Sequence, residues 1–541
     1  MRRKQQHLVT VIAALSLFVG TVLQAGAHEG ATSAGQLGDV HFSVSCAGEA
    51  PAKFHRAVAL YHSFDWKRGK AAFDEIASLD PRCGMAHWGL AMIAADNPFG
   101  WPVGLKLKEG AEAIQKAQQV GAGTAREREY IAALELLYRD HASTPHRPRA
   151  LAYEEAMEKL AARYPDDVEA RILYALTVSG NHDLNDKTFA RPLKAAGLLE
   201  PLFVSLPQHP GVAHYLIHSY DYPPIAQKGL PAAKRYAQVA PSAPHAQHMP
   251  SHIFTRVGSW QDSVAANQRS VQAAVGDARY TAHGMDYMVY AYLQLAEDTR
   301  AAKVFADAGT AVRPEKGKAG FAEAFGLAAM PARLALERGR WAEAGKIELP
   351  ANLSEADWKR YPQAESVQAF ARAIGAARSG DAAGARREIE RLGQLQRALT
   401  ERKLGYWAEQ TEVQAKVATA WALRAEGKDA EAVAALRAAA DHEDRTEKHV
   451  VTPGPIIPAR ELLGDLLLEL NRPADAVVQY EAAMAKEPNR FRGLYGAGRA
   501  AELAGDRDKA RKHYGHLIHQ VGDGGTERPE LRQAKAFVGA R

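Results

Sequence analysis

The sequence predicts an all-α fold, a right-handed superhelical solenoid of tetratricopeptide-like (TPR-like) helical hairpins. Its composition is rich in Ala, Leu, Glu, Arg and Gln, which favour helix. Glycine and proline recur at intervals that fit tight turns between short helices. The C-terminal region repeats with a 34-residue period, as tetratricopeptide hairpins do. Runs of β-branched residues with a period of two are missing from the sequence, so we expect almost no sheet.

Residues 1–27 are predicted to be a secretory signal peptide. Basic residues 2–4 are followed by an apolar run from Leu8 to Leu23, and residues 25–27 (Ala-Gly-Ala) fit a cleavage site. We therefore expect cleavage after Ala27 and a periplasmic or secreted mature protein. The apolar run is shorter than the roughly 20 residues of a spanning helix, so no transmembrane anchor is expected after cleavage.

The charge of the mature chain argues against a nucleic-acid partner. The formal net charge of +5 falls to +2 when Arg2, Arg3 and Lys4 leave with the signal, because no acidic residue leaves with them. The remaining lysines and arginines alternate with acidic residues throughout, as on solvated helix faces. A nucleic-acid binder would need a concentrated basic surface instead.

The clearest repeats lie at the C-terminus. Gly464 and Tyr480 occupy the small-residue and aromatic positions of one hairpin, and Gly498 and Tyr514 occupy the same positions 34 residues later. Small residues let the two helices of a hairpin approach closely, and the aromatic ring fills the space beside them. Aromatic residues near the N-terminus (Phe64, Trp66, Trp88, Phe99 and Trp101) also fit hairpin packing better than a ligand shelf.

The predicted signal peptide precedes three regions of one continuous array. Residues 28–300 form an N-terminal TPR-like array that contains a histidine cluster, residues 301–450 form degenerate helical repeats, and residues 451–541 form a C-terminal TPR pair.

The sequence contains two cysteines, Cys46 and Cys83. In an oxidising compartment such a pair favours a disulfide, which would tie the N-terminal segment to the second hairpin. Two free buried thiols remain the alternative. Neither cysteine has a C-x-x-C partner, so a cysteine-based zinc site is not expected.

Several segments resemble a family of exported bacterial tetratricopeptide repeat proteins. The matching segments are Val44-Ser45-Cys46, His62-Ser63-Phe64, Asp80-Pro81-Arg82-Cys83, His248 to Arg256 (HMPSHIFTR) and Thr452 to Val477. The similarity covers nearly the whole mature chain. It implies a helical-repeat fold and export, and it assigns no catalytic residue.

The functional signal is concentrated in a run of histidines. Seven of the 21 histidines lie between residues 209 and 283. His214 and His248 are 34 residues apart, and so are His218 and His252, so each pair occupies equivalent places on the first helices of neighbouring hairpins. First helices line the concave face, so imidazoles from two hairpins should converge there.

This spacing predicts a metal site formed by His214, His218, His248 and His252. His214 and His218 are four apart on one helical face, as ligands often are. Pro250 should begin a helix, which places His252 in its first turn and His248 in the loop before it. A Zn or Cu ion suits such nitrogen ligands. Further candidate ligands are His245, His283, Asp286 and His182.

The same histidines have a simpler interpretation, as a polar groove for a peptide or as core residues that stack from repeat to repeat. A zinc peptidase would want H-E-x-x-H, and neither pair contains the glutamate. A glutamate could come from another repeat, with Glu443 and Glu461 as candidates by residue type.

We therefore predict a periplasmic or secreted binding or scaffold protein that holds a protein or peptide segment in its concave groove, beside a histidine-lined metal site. Two alternatives stay open: a metal-dependent hydrolase or oxidase built in the same groove, and a metal-free TPR adaptor.

Overall fold

A computed structural model describes residues 35–274, 276–525 and 528–540. The predicted signal peptide, residues 1–27, lies outside the described residues. Among the described helices, none combines the length and the apolar character needed to span a membrane.

The described parts of the chain fold into helices joined by short turns, without strands. Two short 3₁₀ helices cover Pro98–Gly100 and Ala226–Gly229. The α-helices are α1 (Ala50–His62), α2 (Trp66–Leu79), α3 (Gly84–Ala95), α4 (Leu107–Val120), α5 (Ala125–Tyr138), α6 (His146–Arg163), α7 (Val168–Gly180), α8 (Ala190–Ser205), α9 (Pro210–Tyr220), α10 (Leu230–Val239), α11 (Pro244–His248), α12 (Pro250–Arg256), α13 (Trp260–Ala273), α14 (Ala278–Gln294), α15 (Asp298–Ala311), α16 (Phe321–Leu336), α17 (Trp341–Ala344), α18 (Glu355–Arg360), α19 (Pro362–Arg378), α20 (Ala382–Glu401), α21 (Gly405–Ala425), α22 (Asp429–Arg445), α23 (Ala459–Glu469), α24 (Pro473–Lys486), α25 (Phe491–Leu503), α26 (Arg507–Val521) and α27 (Pro529–Gly539).

Consecutive helices pack against each other, and each hairpin stacks on the next, which confirms the predicted all-α solenoid of TPR-like hairpins. The C-terminal repeats show why the sequence folds this way. A Cβ atom at Gly464 would lie 2.6 Å from Cζ of Tyr480, and one at Gly498 would lie 2.6 Å from Cδ1 of Tyr514. The missing side chain therefore makes room for the ring of the second helix in both repeats.

The segment before α1 is extended and lies across the first hairpins. Phe42 is buried against Phe54, Trp88 and Tyr130, with ring centroids 5.2 to 5.5 Å away. A disulfide joins Cys46 in this segment to Cys83, and their Cα atoms are 4.9 Å apart. The segment is thus held both by aromatic packing and by a covalent link.

The C-terminal hairpins pack back on the middle of the chain. Nε1 of Trp260 in α13 donates to the carbonyl of Asn489 (2.7 Å), and the side-chain amide of Gln520 donates to the carbonyl of Gln294 (2.8 Å). One hydrophobic cluster runs from Leu37 to Ala266, and a second runs from Trp260 to Ala534. The predicted divisions at residues 300 and 450 stay predictions.

Residues 446–458 connect α22 to α23 and form what we call the crossing segment. It runs from the C-terminal half towards α9, α12, α14 and α16. Nζ of Lys448 contacts Asp221 after α9 (3.0 Å), and Arg333 in α16 donates to the carbonyl of Pro455 (2.9 Å). The hydroxyl of Tyr287 in α14 donates to the carbonyl of Thr452 (3.1 Å). The two halves therefore meet around this segment.

Candidate metal centre

Helix α9 carries the first pair of predicted ligands. Pro210 occupies the first turn, where a missing N–H has no cost, and the helix places His214 and His218 on one face. Their Nε2 atoms are 3.1 Å apart. Nε2 of His245, from α11, lies 3.1 Å from Nε2 of His214. These three residues form the first trio, and their ligand atoms all lie within 4.8 Å of one another.

The second trio consists of His248, His252 and His283. Nε2 of His248 lies 3.0 Å from Nε2 of His252. The His283 ring comes from α14, with its centroid 4.3 Å from that of His248. Ligand atoms of this trio also lie within 4.8 Å of one another.

The prediction that His248 projects from a loop is wrong. His248 ends α11, which Pro244 begins, and Met249 keeps right-handed helical dihedrals (φ −52°, ψ −36°) up to Pro250. The backbone is therefore helical on both sides of Met249, and His248 and His252 lie one turn apart on one face.

Three of the six rings have an Nδ1 atom that contacts an acceptor. Nδ1 of His214 donates to the carbonyl of His62 (2.6 Å), and Nδ1 of His252 donates to the carboxylate of Asp221 (2.8 Å). Nδ1 of His248 lies 2.7 Å from Oδ1 of Asn267, whose Nδ2 donates to the carbonyl of Ser263. These contacts place the proton on Nδ1 and leave a lone pair on Nε2, the tautomer that a metal ligand needs.

Burial keeps the imidazoles of both trios neutral. It lowers the pKa of His214 to about 3 and that of His283 to about 3. Burial also holds the pKa values of His218, His245 and His248 well below 6.5. For His252, burial outweighs the opposing effect of Asp221, so its pKa is lowered too. Neutral rings are ready to bind a cation without first losing a proton.

The spacing of the nitrogen atoms matches shared coordination. Ligand nitrogens about 2.0–2.1 Å from one ion lie roughly 2.9 Å apart at a right angle and roughly 3.4 Å apart at a tetrahedral angle. The three Nε2 pairs measured above, at 3.0 to 3.1 Å, fall inside this range.

The two trios lie side by side. The ring centroids of His218 and His252 are 6.2 Å apart, and those of His245 and His248 are 6.3 Å apart. These distances equal the separation of His252 and His283 within one trio, 6.2 Å. The structure thus divides the four main predicted ligands between two adjacent sets and completes each set with His245 or His283.

Both trios face a cavity of about 570 Å³. His218 and His245 line it from the first trio, and His252 and His283 line it from the second. The rest of its wall is largely aromatic and apolar, formed by Phe64, Trp66, Val103, Met249, Tyr280, Phe321, Tyr361, Leu404, Trp407 and Val451 among others. Val103 is 59% exposed, which shows that the cavity reaches the protein surface.

Two aromatic rings cover the first trio. Phe99 stacks on His218 (centroids 3.7 Å apart, planes 12° apart), and Phe64 stacks on His245 (5.3 Å, 22°). Phe64 adopts φ +50°, a conformation that a bulky residue adopts only when its surroundings hold it there. Sequence reasoning gave these rings to hairpin packing alone, because nothing local links them to histidines more than 100 residues away.

The remaining predicted ligands lie outside both trios. Asp286 is buried in an ion pair with Arg333 (Oδ1 to Nε 2.8 Å). His182 contacts Phe189 and Tyr222 instead of another ligand. The glutamates named by type are also engaged elsewhere: Glu443 accepts from the backbone N–H of Ala459 (2.7 Å), and Glu461 pairs with Arg490 (2.7 Å).

A third cluster, which sequence reasoning missed, lies behind the first trio. The carboxylate of Glu169 accepts from Nε2 of His62 and from Nε2 of His209, both at 2.9 Å, and all three side chains are buried. Although burial alone raises the pKa of Glu169, the two imidazoles hold that pKa well below its usual range. The cluster fixes His62, whose carbonyl holds His214, so it supports the first trio.

Comparisons with known proteins leave the function open. No family model matches the chain, and no curated protein matches it either. A structure of the human IFIT1 dimer with m7Gppp-AAAA is similar over 81% of this chain and 90% of that chain, at 11% identity and a TM-score of 0.40. The APC/C hetero-tetramer Cut9-Hcn1 is similar over 91% and 84%, at 11% identity and a TM-score of 0.35. Similarity at this level does not support a shared function.

Proposed function

We propose that the protein is a metal-dependent enzyme whose two histidine trios hold transition-metal ions, Zn or Cu, at the wall of the aromatic cavity. Neutral imidazole is a ligand that both metals accept.

The single observation that carries this proposal is the pair His248 and His252. Each ring places its Nδ1 proton on a separate acceptor, so two Nε2 lone pairs face each other at 3.0 Å without a proton to share. Two such lone pairs repel each other in a buried site. A cation bound to both nitrogens converts that repulsion into coordination.

The open side of the trios favours catalysis over a structural site. Structural zinc usually has four protein ligands, whereas catalytic zinc has three and leaves one position for water or substrate. Each trio supplies three ligands, and two members of each line the cavity. A volume of about 570 Å³ is in the range of small-molecule sites.

The scaffold role predicted from sequence has less support at this location. The crossing segment of the chain itself lies beside the trios, where a partner segment was expected, and His449 and Val451 line the cavity. A protein or peptide partner would have to bind elsewhere on the array.

Export is part of the same proposal. The disulfide between Cys46 and Cys83 is typical of proteins folded in an oxidising compartment, in agreement with the signal peptide expected in residues 1–27. We place the enzyme in the periplasm or outside the cell.

Metal analysis of the untagged protein tests the proposal. The wild type should bind two ions per chain after incubation with Zn²⁺ or Cu²⁺ and desalting. His218→Ala and His252→Ala should each bind one, because each variant breaks one trio. His182→Ala is the matched control, since it removes a histidine outside both trios and should keep two ions.

Equal metal content in the wild type and both trio variants would rule out the proposed sites. Far-UV circular dichroism at the same temperature identifies any variant that has lost its helical fold. A variant that fails this check is replaced by His218→Gln or His252→Gln, which preserve polarity and volume better.

A further inference from the structure

The charge around the trios distinguishes between candidate ions. Neither trio includes a carboxylate or a thiolate among the described residues. Asp221, the acid that contacts His252, is already paired with Arg256 (2.9 Å) and Lys448 (3.0 Å). Two divalent ions would therefore bring four positive charges into a buried site that offers neutral ligands, and uncompensated buried charge is costly.

Monovalent copper reduces this cost by half. Cu(I) accepts three imidazoles without further ligands, and copper binds nitrogen ligands more strongly than zinc in the general order of divalent ions. Met249, a soft thioether, is fully buried at the cavity wall beside the trios. The ligand set thus favours copper, and it favours the reduced ion in the resting state.

The distance between the trios favours one coupled centre instead of two independent sites. Rings of different trios approach as closely as rings of the same trio, at 6.2 Å between centroids. Ions held by these rings would be separated by a few ångströms, as in enzymes that use two metals on one substrate. Two neighbouring Cu(I) ions can supply two electrons together.

The cavity indicates a flat aromatic substrate. Phe321 and Trp407 meet edge to face (5.2 Å), and Tyr361 lies 5.8 Å from Phe321 on the same wall. On the opposite side the imidazoles themselves form the surface. Aromatic walls of this kind bind planar rings by offset or edge contacts.

We propose that the two trios hold a coupled pair of copper ions that uses dioxygen to oxidise a small ortho-diphenol bound in the cavity. This inference rests on the proposed function and names its metal, co-substrate and substrate class. In the balanced reaction, two diphenols and one O₂ give two ortho-quinones and two H₂O. Each diphenol loses two O–H bonds, two electrons and two protons. The O₂ molecule loses its O–O bond and accepts all four electrons and all four protons.

Electron paramagnetic resonance tests the coupling independently of activity. Metal-free protein is loaded with two equivalents of Cu(I) without oxygen, desalted and exposed to air. Copper content and the integrated Cu(II) signal are then measured on the same sample. We expect two copper ions per chain and a signal that accounts for less than a tenth of them, because the spins of two bridged Cu(II) ions cancel.

The trio variants provide the decisive comparison. His218→Ala and His252→Ala should bind one copper ion each, and its full Cu(II) signal should appear after oxidation with ferricyanide. His182→Ala should stay silent with two ions. The single-trio variants thus have less copper than the wild type and a larger signal, which a merely structural effect would not produce.

Oxygen uptake with catechol tests the substrate class. Copper-loaded wild type should consume one O₂ per two catechols, while zinc-loaded protein and both trio variants should lose at least 100-fold in rate. Failure to bind any metal at the trios would overturn the proposed function. Two copper ions with a full Cu(II) signal would overturn the coupled pair alone. A silent pair without catechol-dependent oxygen uptake would overturn the substrate class.

Discussion

Nε2 of His248 and Nε2 of His252 face each other at 3.0 Å, while their Nδ1 atoms contact Asn267 and Asp221. The two rings come from one helical face, and their orientation is fixed from behind by groups on α13 and at the end of α9. Preorganisation of this kind lowers the cost of collecting ligands around an ion.

Asn267→Leu removes the acceptor behind His248 while keeping the side-chain volume similar. The ring of His248 should lose its fixed tautomer, and the affinity of the second trio for metal should fall by about 10- to 100-fold. Competition with a chromogenic chelator measures this affinity. The first trio has no contact with Asn267 and serves as the internal control, so an equal loss at both trios would contradict this assignment.

Gly464→Ala and Gly498→Ala test the packing that repeats along the array. Each new methyl group would meet a buried tyrosine ring at 2.6 Å, and such overpacking should lower the free energy of unfolding by about 1–3 kcal/mol. Urea denaturation followed by circular dichroism measures it.

Gly515→Ala is the control for these two variants. Gly515 also lies in a helix, α26, but a Cβ there would meet nothing within 4 Å. The substitution should be neutral or stabilise by up to about 1 kcal/mol, because alanine favours helix. Similar losses in all three variants would show that the rings do not set the cost.

Glu443 should make stability depend on pH. Burial raises the pKa of Glu443 to about 7, although the N–H of Ala459 and the charge of Lys486 oppose it, and Asp444 and Glu487 add to the rise. The folded state thus holds a proton that the unfolded chain releases near pH 4.5. This contribution is complete below pH 4.5 and is lost as the pH rises to about 7.

Glu443→Gln keeps an oxygen that can accept from Ala459 and removes the charge. We expect the variant to be more stable than the wild type at pH 8 by about 1–2 kcal/mol, with the difference shrinking towards pH 5. Thermal unfolding at both pH values measures it. A difference that does not change with pH would mean that Glu443 does not titrate in this range.

Sequence reasoning reached the helical fold because the glycine and tyrosine positions of a hairpin are local and periodic. The 34-residue register also brought His218 next to His252, as expected. It did not separate two trios, because the third members come from outside the register: His245 precedes His248 by three residues, and His283 lies one residue off the next period.

The supports of the centre could not be found from sequence. Glu169, Phe64 and Lys448 reach the histidines through contacts between residues 40 to 230 positions apart, and no periodicity connects them. Asp286 was expected at the site because it fits the period, yet Arg333 approaches its carboxylate in the folded chain.

The crossing segment has a consequence for how the protein matures. All six trio histidines are translated before residue 284, but Lys448 and Val451 arrive more than 160 residues later and close the site. A nascent or truncated chain would therefore present the complete ligand set with one wall missing. Ions have an interval of free access in that state, and docking of residues 446–458 then ends it.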